Sequence, residues 1–312
     1  MNRRLPQLAN RYLPRWARRA VRFGYLRLRN IARHFDPHYI GGVTIGISRA
    51  CNRRCSYCPV AKYPRRQALI SDADLSLILR RLQEIRWDGV VDFIAYNEPL
   101  LHPRLVAIVR QTKAALPRAC PVLTTNGDRL TMEMTRTLID AGITQFNVTR
   151  HPPYSQAWDR QISQVRRCYP DHLHFLASPG DERWTNRGGL VTPPGPLQLE
   201  HHCVAPEHLV ITMEAKVALC CNDFFEENIM GDLHQQTLHQ IFYSDRAQTL
   251  RKNLRQGRIQ LPICRRCLCL EPFVGLPQPR NLADTSIFAE SESVVSEESA
   301  QLGQQEEEVA VR

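Results

Sequence analysis

Cys51, Cys55 and Cys58 stand in the run SRACNRRCSYCPV with the spacing C-x3-C-x2-C. Three thiolates this close on one loop can hold three corners of a four-iron, four-sulfur cluster. The fourth iron then has no protein ligand and is open to a substrate or cofactor. The competing chemistry is a zinc knuckle, but zinc sites usually take four ligands, often as two C-x2-C pairs. No fourth Cys or His follows closely here. Six more cysteines lie far downstream: Cys203, then Cys220 and Cys221, then Cys264, Cys267 and Cys269 in CRRCLC. They suit a second metal centre, and ligand type alone leaves an iron–sulfur cluster and a structural zinc both open. Cys120 and Cys168 are expected to be simple buried thiols. Eleven cysteines point to metal or redox chemistry in a reducing cytoplasm rather than to disulfides.

The elements that must position these residues alternate. GGVTIGIS (41–48), GVVDFIAY (89–96), CPVLTTNG (120–127), TQFNVTRH (144–151) and HLHFLASP (172–179) read as strands. Between them, 71–86, 102–116, 131–142 and 155–169 read as helices, with start signals such as Ser71 and a Gly stop at Gly142. Alternation on this scale implies right-handed βαβ crossovers and a parallel sheet. Such a sheet can be open or closed; the first cysteine loop and Glu98, Asn126 and Arg150 all fall at or just past strand C-terminal ends. Further on, HLVITMEAKVALCC is hairpin-like, and 231–257 reads as a loop and helix.

The cysteine spacing resembles the signature of the radical S-adenosylmethionine (SAM) enzymes, and Tyr57 and Pro59 around the third cysteine match it too. The resemblance covers roughly residues 42–270. It implies an α/β fold, a partial (β/α)6 TIM-like barrel, and a first [4Fe-4S] cluster on Cys51, Cys55 and Cys58 whose open iron is chelated by SAM. Reductive cleavage then gives a 5′-deoxyadenosyl radical that takes hydrogen from a C–H bond. YNEPLLHP (96–103) stands where many members read G-G-E-P. Glu98 is thereby expected to accept hydrogen bonds from the SAM amino group, although an acidic residue before a helix also serves the helix itself. Tyr96 and Asn97 replace the two glycines; Asn97 is expected to reach SAM through its backbone or its side chain. Asn126 in TTNG resembles the family's loop beside SAM, while Asn-Gly is also a common turn pair. Arg150 is a candidate partner of the SAM carboxylate or the substrate, with a surface role as the alternative. Tyr57 is counted with these cofactor-binding residues, and His102 and His151 read as loop or cap residues.

The second cysteine block resembles the SPASM/Twitch extension of the same family, a small hairpin-and-helix domain. It implies an auxiliary [4Fe-4S] cluster on Cys203, Cys220, Cys264 and Cys267. The family places a Gly five residues before the second ligand. Ala215 occupies that place and points to Cys220, with Cys221 the alternative and Cys269 a further candidate. NRGG (186–189) also resembles a stretch that precedes the cluster. The domains expected are a basic helical extension (1–40), the barrel (41–195), the auxiliary-cluster domain (196–275) and an acidic disordered tail (276–312).

The implied activity is oxidation or modification of a sugar, an aminocyclitol or a lipid-linked small molecule, with a flavodoxin- or ferredoxin-like reductant and the auxiliary cluster as electron acceptor. Peptide or protein modification is the alternative within the family. A zinc-binding or RNA-binding protein is the alternative outside it, and no aromatic-rich single-strand platform supports RNA binding. Charge sits at the ends: residues 1–35 hold ten Arg and no Asp or Glu, and residues 290–312 hold seven Glu and one Arg. The basic segment, with Leu13, Trp16, Ala20 and Phe23 at helical spacing, suits either packing on the barrel or an anionic membrane surface. No apolar run of about 18 residues occurs, so neither a membrane span nor a signal peptide is expected.

Overall fold

Strands of three to six residues separated by capped amphipathic helices have one economical arrangement, a parallel sheet with helices over one face. The computed structural model, which describes residues 24–25, 27–28, 30–32, 35–36, 38–176, 185–192 and 203–267, has that arrangement. The strands are β1 (Gly42–Ile45), β2 (Val90–Asp92), β3 (Cys120–Thr125), β4 (Gln145–Val148) and β5 (Leu173–Phe175). The helices between them are the short α1 (Pro59–Lys62), then α2 (Asp72–Glu84), α3 (Leu105–Ala115), α4 (Met132–Ala141) and α5 (Gln156–Cys168). Ser71, Thr131 and Ser155 cap α2, α4 and α5 by accepting the N–H three residues on.

Two faces of the sheet differ in chemistry. Val43, Ile45, Val91, Phe93, Leu123, Phe146 and Val148 are fully buried in one core with Leu75, Ile78, Ile108, Val109, Leu138 and Ile162 of the helices. The intervening positions turn to the opposite, concave face, and there the residues are polar. Thr44 pairs in register with Asp92, and Thr124 with Asn147. Asp92 accepts from Thr124 N (3.2 Å) and Oγ1 (2.5 Å), and Asn147 Nδ2 donates to Thr124 Oγ1 (3.2 Å). A polar inner face beneath the strand C-termini is what a partial barrel offers a polar ligand.

The hairpin segment does not form a sheet of its own. β6 (His208–Ile211) pairs in parallel with β1, Val43 opposite Leu209, and then β7 (Lys216–Ala218) and β8 (Ile229–Asp232) continue antiparallel. The order is β5-β4-β3-β2-β1-β6-β7-β8 in one sheet. β1 would otherwise be an unpaired apolar edge, and β6 removes that liability. After β8 come α6 (Leu238–Phe242), α7 (Asp245–Arg255) and α8 (Pro262–Cys267), which carries two of the second-set cysteines. The turn between β6 and β7 holds Ala215 at φ 54°, the left-handed region that favours the glycine it replaces.

Glu207, just before β6, accepts from Arg27 (2.8 Å) and Arg255 (3.1 Å) and lies 3.3 Å from His38 Nδ1. The described part of the basic segment, helical at 24–25, 27–28 and 30–32, is thus ion-paired to the base of the sheet. Leu13, Trp16, Ala20 and Phe23, the expected tail (276–312) and Cys269 lie outside the described residues. One expectation fails: Cys168 is exposed, not buried. It sits in the last turn of α5, past Val165, the final buried position of that helix. Cys120, at the start of β3, is half-buried.

Candidate active site

The loop from β1 to α1 carries Cys51, Cys55 and Cys58 and is fastened to three neighbouring strand ends. Arg53 forks onto Asp128, with Nε to Oδ2 at 2.7 Å and Nη2 to Oδ1 at 2.6 Å, and donates Nη1 to the carbonyl of His151 at 2.9 Å. Asn52 donates to Asp128 (2.8 Å) and accepts from Asn126 (2.9 Å). Glu98 N donates to the carbonyl of Ala50 (2.7 Å), and Tyr57 Oη hydrogen-bonds His151 Nδ1 (2.7 Å) with the rings stacked. Burial works against the Asp128 carboxylate, but the Arg53 hydrogen bonds and charge outweigh it and hold Asp128 below the usual range. Burial and then Arg53 push His151 down to about 4 against the pull of Asp128, so its ring is neutral at physiological pH.

The thiols fit an iron–sulfur cluster. Burial pushes Cys51 up, and Glu98, Cys58 and Cys55 push it further, whereas the Arg53 N–H, 3.5 Å from its sulfur, works the other way. Burial likewise raises Cys58, opposed by the N–H of Val60 and the charge of Arg187. Amide N–H groups aimed at sulfur are a standard means of stabilising cluster thiolates.

The second set is gathered similarly. Burial holds Cys220 well above its ordinary value, with Cys221, Cys267 and Cys264 adding to the effect. Cys264 is pushed up to about 12 by burial, then by Cys203 and Cys267. Asn222 donates its backbone N–H toward Cys220 and its Nδ2 to Cys267 Sγ at 3.3 Å. Cys220 and Cys264 thus each feel other cysteines of the second set, Cys221 among them; Cys203, Cys220, Cys264 and Cys267 are half-buried and Cys221 is exposed. Among the described residues no three His, Cys, Asp or Glu side chains are arranged for a single metal ion.

The pattern of the Radical SAM superfamily matches residues 45–151, and that of the SPASM iron–sulfur cluster-binding domain matches residues 203–268. The S-adenosyl-L-methionine-dependent 2-deoxy-scyllo-inosamine dehydrogenase of Niallia circulans is 30% identical over 229 residues, 72% of this chain and 91% of that one. The chain belongs to the radical SAM superfamily. The fold matches the crystal structure of BtrN in complex with AdoMet and 2-DOIA with a TM-score of 0.66 at 28% identity, covering 72% of this chain and 91% of that one. Native anSMEcpe with bound AdoMet matches with a TM-score of 0.53 at 10% identity over 70% of this chain and 84% of that one, a likeness of fold alone. This chain is thus a radical SAM enzyme, using a [4Fe-4S] cluster with SAM and an auxiliary iron–sulfur cluster in its SPASM region.

Within this radical SAM site, Glu98 is buried and accepts from Leu100 N (3.1 Å), Thr125 Oγ1 (2.6 Å) and Asn126 N (2.8 Å). It caps a short helical turn and also ties β2 to β3. The Asn97 side chain is committed to its own loop and to Ser48: it accepts from Ala95 N (2.6 Å) and donates to Phe93 O and Ser48 Oγ (both 3.3 Å). Its backbone is what remains for a cofactor. Asn126 Oδ1 accepts from Asp128 N (2.9 Å), closing the turn its Asn-Gly pair suggests. Arg150 pairs with Asp159 (2.6 Å) and lies over Tyr154, and its buried Nε has no hydrogen-bond partner among the described residues. His102, as read from its place in a loop, is a cap whose Nδ1 accepts from Arg104 N.

Sequence reasoning missed Arg53, Asp128 and the contact of His151 with Tyr57. It also missed a cluster of aromatic and charged side chains around Tyr96 and Phe224. Tyr96, at φ 58°, stands edge-on to Phe224 at 4.9 Å. Arg65 lies over Phe224 at 4.4 Å and 3.6 Å from Glu226, which Arg49 approaches at 3.9 Å while bonding Glu214 at 2.9 Å. The Tyr96 hydroxyl, Arg49 Nε and Arg187 Nε are buried without hydrogen-bond partners among the described residues. The available signal was a tyrosine standing where the family has a glycine, and the positive φ of Tyr96 is its structural counterpart.

Proposed function

We propose that this chain is a radical SAM dehydrogenase that oxidises a secondary alcohol on a small polyhydroxylated ring, a sugar or an aminocyclitol, free or lipid-linked. One observation carries the reading: near the cysteine loop the Tyr96 hydroxyl and the Arg49 and Arg187 Nε atoms are buried with no hydrogen-bond partner among the described residues, and polar groups left so call for a partner such as a hydroxylated ligand. The relative of known activity supports it, since its name gives an aminocyclitol dehydrogenase and the match spans 91% of its length.

When bound, the first cluster with SAM would supply the 5′-deoxyadenosyl chemistry that takes a hydrogen atom from the carbinol carbon, and the auxiliary cluster would take up one electron as the hydroxyl proton leaves and the ketone forms. We assign Cys51, Cys55 and Cys58 to the first cluster and Cys203, Cys220, Cys264 and Cys267 to the second, with the exposed Cys221 the alternative to Cys220. Glu98 receives the SAM amino group, using lone pairs its three protein bonds leave free. The Asn97 backbone and Asn126 line the same cofactor edge, Arg150 offers its Nε to the SAM carboxylate, and Tyr57, braced by His151, closes the cysteine side. Tyr96 and Arg65 orient ring hydroxyls, and Glu226 accepts from a hydroxyl or an ammonium. The barrel (41–195) and the auxiliary region (196–275) thus divide radical generation from electron acceptance. A flavodoxin- or ferredoxin-like protein supplies the reducing electron, and the basic segment (1–40) brings the enzyme to an anionic surface if the substrate is lipid-linked.

The test is anaerobic incubation of reconstituted protein with SAM, reductant and a panel of aminocyclitols, inositols and hexoses. Deuterium at the oxidised carbon should appear in 5′-deoxyadenosine, one equivalent per ketone formed. If none of the panel raises 5′-deoxyadenosine above the substrate-free rate, while a peptide library does, the dehydrogenase reading fails.

A further inference from the structure

Leu28, Ile31 and Phe35 follow one another at the i, i+3, i+7 spacing that puts side chains on one stripe of a helix. They are 65%, 46% and 93% exposed, and Gly24 and Ala32 on the same side are exposed as well. The other side of this segment is held down. Arg27 pairs with Glu207 (2.8 Å), and the buried Asn30 donates Nδ2 to the carbonyl of Tyr39 (3.0 Å). Just past the stripe, Asp36 accepts from the Tyr243 hydroxyl (2.9 Å). These anchors fix the segment on the body of the protein and turn its apolar stripe outward.

Phe35 lies just past the helical residues. Its N–H donates to the carbonyl of Ile31 (3.1 Å) and its φ is 54°, the left-handed closing position that favours glycine. A phenylalanine there is strained, and at 93% exposure it recovers nothing by burial. Single exposed apolar residues need no explanation. A row of them ending in a strained aromatic marks an interaction surface.

Charge indicates the partner. Asp36 is the first acidic residue of the chain, and ten Arg precede it. An anionic lipid surface takes both features at once, with apolar side chains set among the acyl chains and guanidinium groups at the phosphates. No helix among the described residues is long and apolar enough to cross a membrane, and a stripe of this size suits a helix that lies on one. Glu207 directly precedes β6, at the strand ends opposite those that bear the first cysteine loop, so this surface and the cysteine site do not compete.

We propose that the stripe of Leu28, Ile31 and Phe35, within its arginine-rich segment, seats the protein on an anionic lipid surface. The contact belongs to the segment itself, whatever the substrate, and its test can fail without touching the dehydrogenase reading.

The experiment is co-sedimentation of the full-length, anaerobically reconstituted protein with vesicles of phosphatidylcholine alone or of equal parts phosphatidylcholine and phosphatidylglycerol. Wild type should pellet with the anionic vesicles, less so at high salt, and stay in the supernatant with phosphatidylcholine. Phe35→Gly should weaken this partitioning about tenfold while keeping or raising the thermal midpoint, because glycine relieves the strained φ. A residue with a purely structural role would lose stability instead. Leu28→Gln/Ile31→Gln/Phe35→Gly should weaken it further, with iron content and vesicle-free 5′-deoxyadenosine formation as in wild type. No pelleting with anionic vesicles, or pelleting that these substitutions leave intact, would overturn the proposal. A wild-type dimer that the triple variant turns into monomer by sedimentation velocity, without vesicle binding, would overturn it in favour of a second copy of the chain. Retention on single-stranded RNA that falls with the same variants, again without vesicle binding, would overturn it in favour of a nucleic acid.

Discussion

Glu98 shows how one side chain can hold a fold and a ligand together. Its oxygens take three N–H or O–H donors from the protein, and burial nevertheless raises it above the ordinary carboxylate range. Glu98→Gln keeps the shape but replaces acceptors with donors. SAM affinity, measured by equilibrium dialysis on reconstituted protein, should fall about tenfold or more; unchanged affinity would remove Glu98 from the cofactor site. The cysteine thiols carry a second prediction. Cys51, Cys58, Cys220 and Cys264 are all held in the protonated form by burial, and iron takes only the thiolate. Cluster reconstitution from the apo-protein should therefore release protons and proceed faster as pH rises from about 7 to about 9. A rate independent of pH would show that the thiols are already ionised.

Between elements, the first cysteine loop owes its shape to a long-range ion pair. Arg53 and Asp128 are 75 residues apart and partly buried, so Asp128→Ala should cost about 1.5–3 kcal/mol and speed iron loss to a chelator. Unchanged iron retention would show that the loop is shaped by the cluster alone. The polar rungs across β2, β3 and β4 make a pH-dependent contribution. Burial, against the Thr124 hydrogen bonds, raises Asp92 to about 6. The folded state thus favours the protonated acid, and stability should fall as pH rises from about 4 to about 6, then level off. Asp92→Asn should remove that part of the profile in urea titrations; a profile identical to wild type would assign the slope elsewhere. The strands were legible because β1 to β4 are short apolar runs with punctuated ends, and Ser71, Thr131 and Gly142 marked helix ends by type alone. The Arg53 clamp and the cluster around Tyr96 and Phe224 were not, because each depends on residues brought together across tens of positions. Cys168 was misread because the inward stripe of α5 stops one turn before its end.

In the whole molecule, the feature with the widest reach is the parallel pairing of β6 with β1. Radical SAM and SPASM patterns match separate stretches of sequence, yet the strands of both lie in one continuous sheet, and residues 1–272 group as one compact unit. The hairpin was legible as a hairpin from its alternation and turn. Its partner was not, because nothing in HLVI says which edge it will find. The relation between the two cysteine sets is consequently set by backbone hydrogen bonds, with His208–Ile211 aligned residue by residue against Gly42–Ile45.

That seam decides whether the enzyme can be taken apart. A chain ended before residue 196 would keep every first-set cysteine and every residue proposed for SAM. It would also leave β1, wholly apolar apart from Thr44 and Gly42, as a bare edge open to the same strand of another molecule. Such a fragment is expected to precipitate on expression at concentrations where the full chain stays dispersed, and Lys substitutions along that edge should return it to the supernatant. A dispersed, monomeric fragment by sedimentation would show that the barrel can stand without its appendage. Otherwise, grafting a different electron-accepting module onto this barrel demands a strand that fits β1 before it demands the right cysteines.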